Sequence, residues 1–232
     1  LKVEIWSDFA CPFCYIGKTY YERALAQFPQ REQIVTQYKS FELDPNASVS
    51  QKQPTIESLA EKYGTSVEQA KEMTQGVAGR AEEAGLIFHF DKMMTINSMD
   101  AHRIVHYAQS IGKAKELVEA LFYAYFTDNK DLSDRQVLID IAESVQLQVK
   151  EVLEDEQKYK AQVKADEFEA QQLAVRGVPF FVIDRKYAIS GAQPVSVFLE
   201  TLNKAWSERS GGLTHVEAAG DDDNCGPDGC KL

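Results

Sequence analysis

The order of hydrophobic patterns along this chain limits its fold more than any other feature. Strand and helix alternate at both ends, and roughly 120 residues between them carry helical periodicity almost throughout. Residues 2–6 read as a buried strand, 14–28 as a helix ended before Pro29, and 34–43 as a second strand stopped by Asp44-Pro45-Asn46. A strand–helix–strand of this size is a βαβ unit, so the two strands are expected to be parallel. Helices are then expected near 55–63, 66–84, 98–111, 114–127, 134–145, 149–157 and 159–175. Their starts are marked by Thr55 with Ser58, by Ser98, and by Ser133 with Gln136 at capping-box spacing. Their stops fall at Gly64, Gly85, Gly112, Asp128-Asn129 and Gly177, while 86–90 reads as a short extended link.

Strand character returns over 178–183, turns at Asp184-Arg185-Lys186, and pairs back over 187–191 as a hairpin before a last helix at 194–209. The simplest packing of this order is a single sheet with the helical block inserted between its halves. Residues 1–48 and 176–209 are thus the two parts of one sheet-bearing domain, 49–175 an inserted helical domain, and 210–232 a flexible acidic tail.

Cys11-Pro12-Phe13-Cys14 falls where the first strand gives way to the first helix. Two thiols at this spacing can close a small disulfide ring and reopen it. The first sulfur sits at a helix N-terminus, where unpaired backbone N–H groups and the helix dipole favour a thiolate. Pro12 suits the first turn because no hydrogen bond is asked of it there. The competing reading is half of a structural zinc site completed by Cys225 and Cys230. Against it, Tyr15, Ile16, Lys18, Tyr20, Tyr21, Ala24, Leu25 and Phe28 continue at helical spacing, whereas zinc knuckles lie on turn-rich loops.

The chain has 232 residues, enough for one large domain or a core domain with an insertion. A formal net charge of −11 argues against nucleic acid as a partner and gives no attraction to an anionic membrane surface. No apolar run approaches the roughly 18 residues of a membrane span. The first residues enter a strand at once, without a charged leader and apolar segment, so a cytoplasmic location is expected. In that compartment four cysteines in two close pairs read as catalytic or metal-binding.

Several segments together resemble the DsbA-like family, and within it the FrnE-like subgroup. They are Ser7-Asp8-Phe9-Ala10-Cys11-Pro12-Phe13-Cys14-Tyr15-Ile16-Gly17, Phe41 to Pro45, Asn97-Ser98 with Ala101-His102-Arg103, and Gly177-Val178-Pro179-Phe180-Phe181. The resemblance extends over about residues 2–205 and implies an α/β chain with a thioredoxin-like fold and a large inserted all-helical domain. It also implies a thiol–disulfide oxidoreductase with Cys11 and Cys14 as its redox pair and Pro179 in a cis peptide bond facing them. A proline is the cheapest place for such a bond, and it leaves the Val178 backbone free to bind an extended peptide.

Cys11, the more exposed thiol, would carry the mixed disulfide and Cys14 would resolve it. Pro12, Phe13 and Val178 would contact substrate, and Asp8 and Asn97 would tune the thiols. Asp8 could equally satisfy a backbone N–H. The expected partners are thiol or disulfide proteins and low-molecular-weight thiols, glutathione among them as co-substrate, with no other cofactor and no metal. The strongly oxidising members place a histidine between the cysteines. Phe13 supplies neither a hydrogen bond nor positive charge, so a milder oxidant is expected. A glutathione-dependent isomerase or transferase of the related kappa-class group, acting on small aromatic or polyketide substrates, is the alternative. Those relatives need no second thiol, and Cys14 weighs against it.

Weaker signals complete the reading. Trp6, Phe9, Phe13 and Phe180 could floor the site with apolar surface, or Trp6 and Phe180 could be core. His102 and His106 share a helix face as metal ligands can, but no third ligand is evident. Met93-Met94 reads as packing, and Asp221–Asp223 lacks a calcium-loop pattern. A tail of about 16 residues would span roughly 20–25 Å and tether Cys225 and Cys230 at about millimolar effective concentration near the main dithiol. That pair would then act as a shuttle, or else form a passive disulfide.

Overall fold

A computed structural model describes residues 1–209; Cys225, Cys230 and the expectations attached to them lie outside the described residues. The strands are β1 (Lys2–Ser7), β2 (Val35–Ser40), β3 (Phe180–Ile183) and β4 (Tyr187–Ser190). They form one sheet in the order β2-β1-β3-β4. β1 and β2 run parallel from Lys2 opposite Val35 to Ser7 opposite Ser40, as a βαβ unit requires. β3 lies antiparallel to β1 and to β4.

Each face of this sheet is covered by helix. α1 (Pro12–Gln27) and α9 (Val195–Arg209) cover one, with Tyr21 of α1 meeting Phe181 at 5.8 Å and Phe198 at 6.0 Å between ring centroids. α8 (Lys160–Gln172) covers the other, where Trp6, Ala170, Val175 and Val182 pack together and Trp6 Nε1 donates to the Asp166 carbonyl at 3.0 Å. Burial on both faces explains why Val3, Ile5 and Trp6 of β1 are all apolar. Glu4 among them is buried but paired with Arg185 at 2.6 Å and with Lys2, the exposed first residue of the strand, at 2.9 Å.

Between β2 and β3 come α2 (Thr55–Tyr63), α3 (Val67–Glu83), α4 (Met99–Ser110), α5 (Ala114–Phe126), α6 (Arg135–Ser144) and α7 (Lys150–Glu154), followed by α8. One buried cluster runs from Val3 and Ile5 of the sheet through Tyr15 to Leu121, Phe122 and Leu138 of these helices. The helices and the sheet therefore share a core. None of the described helices is long and apolar enough to cross a membrane.

Some element edges differ from expectation, each for a local reason. The second strand stops at Ser40 because the Leu43 amide turns to the Asp8 carboxylate and Glu42 pairs with Lys164. Residues 86–89 form a short link without helix or turn, and only Phe90 departs from expectation by opening a 3₁₀ turn over Phe90–Lys92. α7 has only five residues, and Tyr159, at φ 63°, divides it from α8. The expected caps also shift. Ser133 Oγ accepts from the Asn97 amide, and Asp134 caps α6 instead. Thr55 lies inside α2 after Pro54, and Ser98 makes no side-chain cap. A full capping box forms between Ser66 and Gln69.

Candidate active site

β1 ends at Ser7, and the Cys11 amide closes a tight turn onto the Asp8 carbonyl at 3.1 Å. Cys11 is therefore the N-cap of α1, with Pro12 at its first position, and Cys14 lies one turn in. Both thiols are free and buried, but unequally: Cys11 is 5% exposed and Cys14 1%. The Asp8 amide donates to Cys14 Sγ at 3.5 Å. Burial, reinforced by the neighbouring Cys11, pushes the Cys14 thiol well above its ordinary range and holds it protonated.

The Val178–Pro179 peptide is cis, as the sequence resemblance implies. The Cys11 thiol donates to the Val178 carbonyl at 3.5 Å, so that carbonyl is engaged in the resting site. Gly17 permits this approach. A Cβ there would stand 2.9 Å from Pro179 Cγ and 3.4 Å from Ala192 Cα, so only a bare backbone lets α1 lie against the loop. Phe13 is half-buried, with the Arg80 guanidinium 5.8 Å from its ring centroid, a contact that the sequence did not disclose.

Asp8 is completely buried and fully used. Oδ2 accepts from the Leu43 amide at 2.7 Å, Oδ1 from the Ala10 amide at 3.4 Å, and His102 Nε2 stands 3.4 Å from Oδ1 without good hydrogen-bond alignment. Burial alone would raise this carboxyl, but the His102 imidazole, the Leu43 amide and Ser98 outweigh it and hold Asp8 below its ordinary range. Of the two roles considered for Asp8, the geometry displays the structural one: its carboxylate accepts from the Ala10 and Leu43 amides, and its own amide reaches Cys14 Sγ.

His106 belongs to a different cluster. Its Nε2 lies 3.0 Å from Asp166 Oδ2 and 3.1 Å from Ser40 Oγ, while Lys39 pairs with Asp166 at 2.8 Å. Burial raises Asp166 too, but His106, Lys39 and the Ser40 amide together hold it low. The two histidines are therefore spent on separate carboxylates. No group of three or more potential metal ligands occurs among the described residues.

These two low carboxyls set an acid limit. A group whose folded pKa is depressed contributes stability above its unfolded value, and that stability is lost as pH falls through the folded value. The urea midpoint is expected to be level from neutral pH to about 5 and to fall below about 4. Asp166→Asn is expected to start from a lower plateau and fall less steeply. A midpoint that rises on acidification through that range would contradict the assignment.

Asn97 does not face the thiols. Nδ2 donates to the Ala47 carbonyl at 2.9 Å and Oδ1 accepts from the Met99 amide at 3.1 Å, so it ties the 44–47 loop to the start of α4. Trp6 and Phe9 are core residues, the latter packed on His102 and Phe122, and Phe180 is half-buried beside Trp6; of the four proposed floor aromatics, only Phe13 lines the adjacent cavity. That cavity, of ≈ 330 Å³, has Cys11, Pro12 and Phe13 in one wall and α2 and α3 opposite. A wider depression of ≈ 950 Å³ beside β2, lined by Tyr21, Arg31 and Tyr38 among others, holds no thiol.

Known proteins share this architecture. A probable DsbA oxidoreductase from Streptomyces coelicolor is 40% identical, with a TM-score of 0.86 over 100% of this chain and 98% of its own. The cytosolic disulfide reductase DsbM from Pseudomonas aeruginosa, solved with GSH, shares the fold at 15% identity and a TM-score of 0.62, covering 88% of this chain and 100% of its own. A 2-hydroxychromene-2-carboxylate isomerase shares it at 13% identity and a TM-score of 0.63, covering 90% and 98%. Residues 2–203 match the DSBA-like thioredoxin domain. With the paired thiols at the head of α1 and the sheet order that presents them, this match makes the chain a member of the DSBA-like thioredoxin domain family.

Proposed function

We propose that this protein is a cytoplasmic thiol–disulfide oxidoreductase of the FrnE-like subgroup, exchanging the Cys11–Cys14 pair with protein disulfides or low-molecular-weight thiols such as glutathione. The observation that carries this reading is the unequal burial of two thiols one helical turn apart, with Cys11 at the Val178–Pro179 loop. In the reducing direction Cys11, as thiolate, attacks a substrate disulfide. An S–S bond to Cys11 forms, the substrate S–S bond breaks, and one thiolate leaves. Cys14 then loses its proton, attacks Cys11 and releases the second thiol, so the enzyme dithiol is oxidised by two electrons and the substrate reduced by two. Oxidation of a substrate dithiol runs the same steps backwards. Phe13 brings no donor to Cys11, and the reading therefore expects a mild couple. Cys225 and Cys230 are assigned as a second pair that exchanges with the first.

The test is the redox equilibrium of the full chain in glutathione buffers, with free thiols counted by mass after alkylation. A reversible two-electron couple at Cys11–Cys14, lost in Cys11→Ser, is expected. Thiols that never pair would favour the second reading, a glutathione-dependent isomerase, which is supported by the partly open cavity beside Cys11.

A further inference from the structure

β2 is an outermost strand of the sheet, yet most of its outer edge is already closed. In the parallel ladder with β1, the Val35 amide donates to the Leu1 carbonyl at 2.8 Å and the Phe41 amide to the Ser7 carbonyl at 3.2 Å. Alternation therefore turns the amides of Thr36, Tyr38 and Ser40 outward. Gln109 Oε1 accepts from the Tyr38 amide at 2.8 Å, and Asp166 Oδ2 from the Ser40 amide at 2.9 Å. The Thr36 amide has no partner among the described residues; only its hydroxyl is engaged, by Tyr21 at 2.7 Å. Beside it lies the ≈ 950 Å³ depression, walled by Leu25 and Ala26 of α1, by Val35, and by Ala114 and Lys115 at the start of α5. Val35 is 64% exposed there, and Lys115 makes no ion pair among the described residues. Glu22 and Glu32 on the same rim are paired with Lys18 and Arg31. One short stretch of open strand edge therefore faces a trough wide enough for another length of chain.

We propose that residues 213–216 of this same chain, which lie outside the described residues, dock in the trough as a fifth strand parallel to β2. The described chain reaches Arg209, and Trp206 in the last turn of α9 packs on Phe28 at 5.9 Å. The Phe28 carbonyl accepts from the Arg31 amide at 3.2 Å, and Arg31 stands in the rim of the trough at the head of β2. Residue 213 is four positions beyond Arg209, a reach of about 14 Å when extended. Within 210–232, Leu213-Thr214-His215-Val216 is the longest run free of the residues that strands disfavour. Glu217 follows it, and Asp221–Asp223 come next, a negative charge that Lys115 on the far bank complements. In a register centred on Thr214, the Thr36 amide donates to the Leu213 carbonyl and the His215 amide donates to the Thr36 carbonyl. Those two bonds close the stretch of edge that Gln109 and Asp166 leave open. The docking does not depend on the redox reading, but it shortens the tether to the second cysteine pair. Cys225 then stands nine residues beyond the anchor rather than sixteen beyond Arg209, which raises its effective concentration at any site those nine can span.

The test is amide hydrogen exchange, followed residue by residue by NMR on the full chain kept reduced with dithiothreitol. The Thr36 amide should exchange at least about tenfold more slowly in the wild type than in His215→Pro, which removes the pairing donor. Ala219→Pro, beyond the docked segment, should leave Thr36 slow. Nuclear Overhauser contacts between Thr36 and residues 213–216 should accompany the protection and vanish in His215→Pro. The Phe41 amide, bonded to Ser7, reports that each variant is folded. Equal Thr36 exchange in the wild type and His215→Pro would overturn the proposal. So would protection that grows with protein concentration, which would give the edge to a second copy of this chain. Protection that falls on the outer edge of β4 instead would overturn it too. None of these outcomes reads the Cys11–Cys14 couple, so failure here leaves the oxidoreductase reading standing.

Discussion

In a chain whose Cys225 and Cys230 are replaced by serine, so that no second thiol pair can resolve or be labelled, Cys14→Ser is expected to convert this protein from a turnover catalyst into a trap. Incubated with oxidised glutathione, the variant should accumulate as a single mixed disulfide on Cys11, seen as one added glutathionyl mass that dithiothreitol removes. Multiple-turnover activity should fall by about three orders of magnitude or more, because an intramolecular resolving thiol one helical turn away is replaced by dilute external thiol. The reciprocal variant should behave differently. In Cys11→Ser on the same background the remaining cysteine, Cys14, is 1% exposed and held protonated by its burial, so it should form no mixed disulfide at comparable times. Equal labelling of the two single variants would mean that the burial asymmetry does not decide which sulfur attacks.

That asymmetry is where sequence and structure divide the work. The strand, the C-x-x-C turn and the amphipathic helix were legible because each has a local signature: the apolar run, the Pro12 start and the 3.6-residue repeat through Tyr15, Ile16 and Tyr21. The return of strand character at Phe180 was equally plain, and so was the sheet built from both ends of the chain. What the sequence concealed depends on residues far apart in the chain. His102 is 94 positions from the Asp8 it faces. Arg80 reaches the Phe13 ring from α3, and the cavity exists only once α2 and α3 close over Cys11. The shared helix face of His102 and His106 suggested a joint site, but each found a carboxylate on a different element first. Asn97 looked functional through its neighbours and proved to be scaffold, its amide consumed at both ends. The boundary errors follow the same rule, since Ser40 ends β2 because of side chains from the Asp8 turn and α8.

Arg103 shows how strongly such distant contacts hold the site in place, and its removal should be the most damaging change outside the dithiol. It is 1% exposed on α4, one residue after His102. Its guanidinium donates to the carbonyls of Lys158 at 2.8 Å, Val152 and Asp155, and to Asp100 Oδ1 at 2.6 Å. Those carbonyls belong to the five-residue α7 and the turn after it, so one planar cation ties this short segment to α4. Arg103→Ala leaves these acceptors facing a void and should cost about 3–5 kcal/mol, read as a fall in urea midpoint at unchanged slope. Arg103→Lys should recover only part of that, because a single ammonium cannot reproduce a fork that reaches four acceptors. Below its unfolding transition the Ala variant should still alkylate at Cys11 at the wild-type rate, since Arg103 touches neither sulfur. A loss of less than about 1 kcal/mol in Arg103→Ala would mean that water or a rearranged 152–158 segment satisfies these carbonyls as well as the guanidinium does.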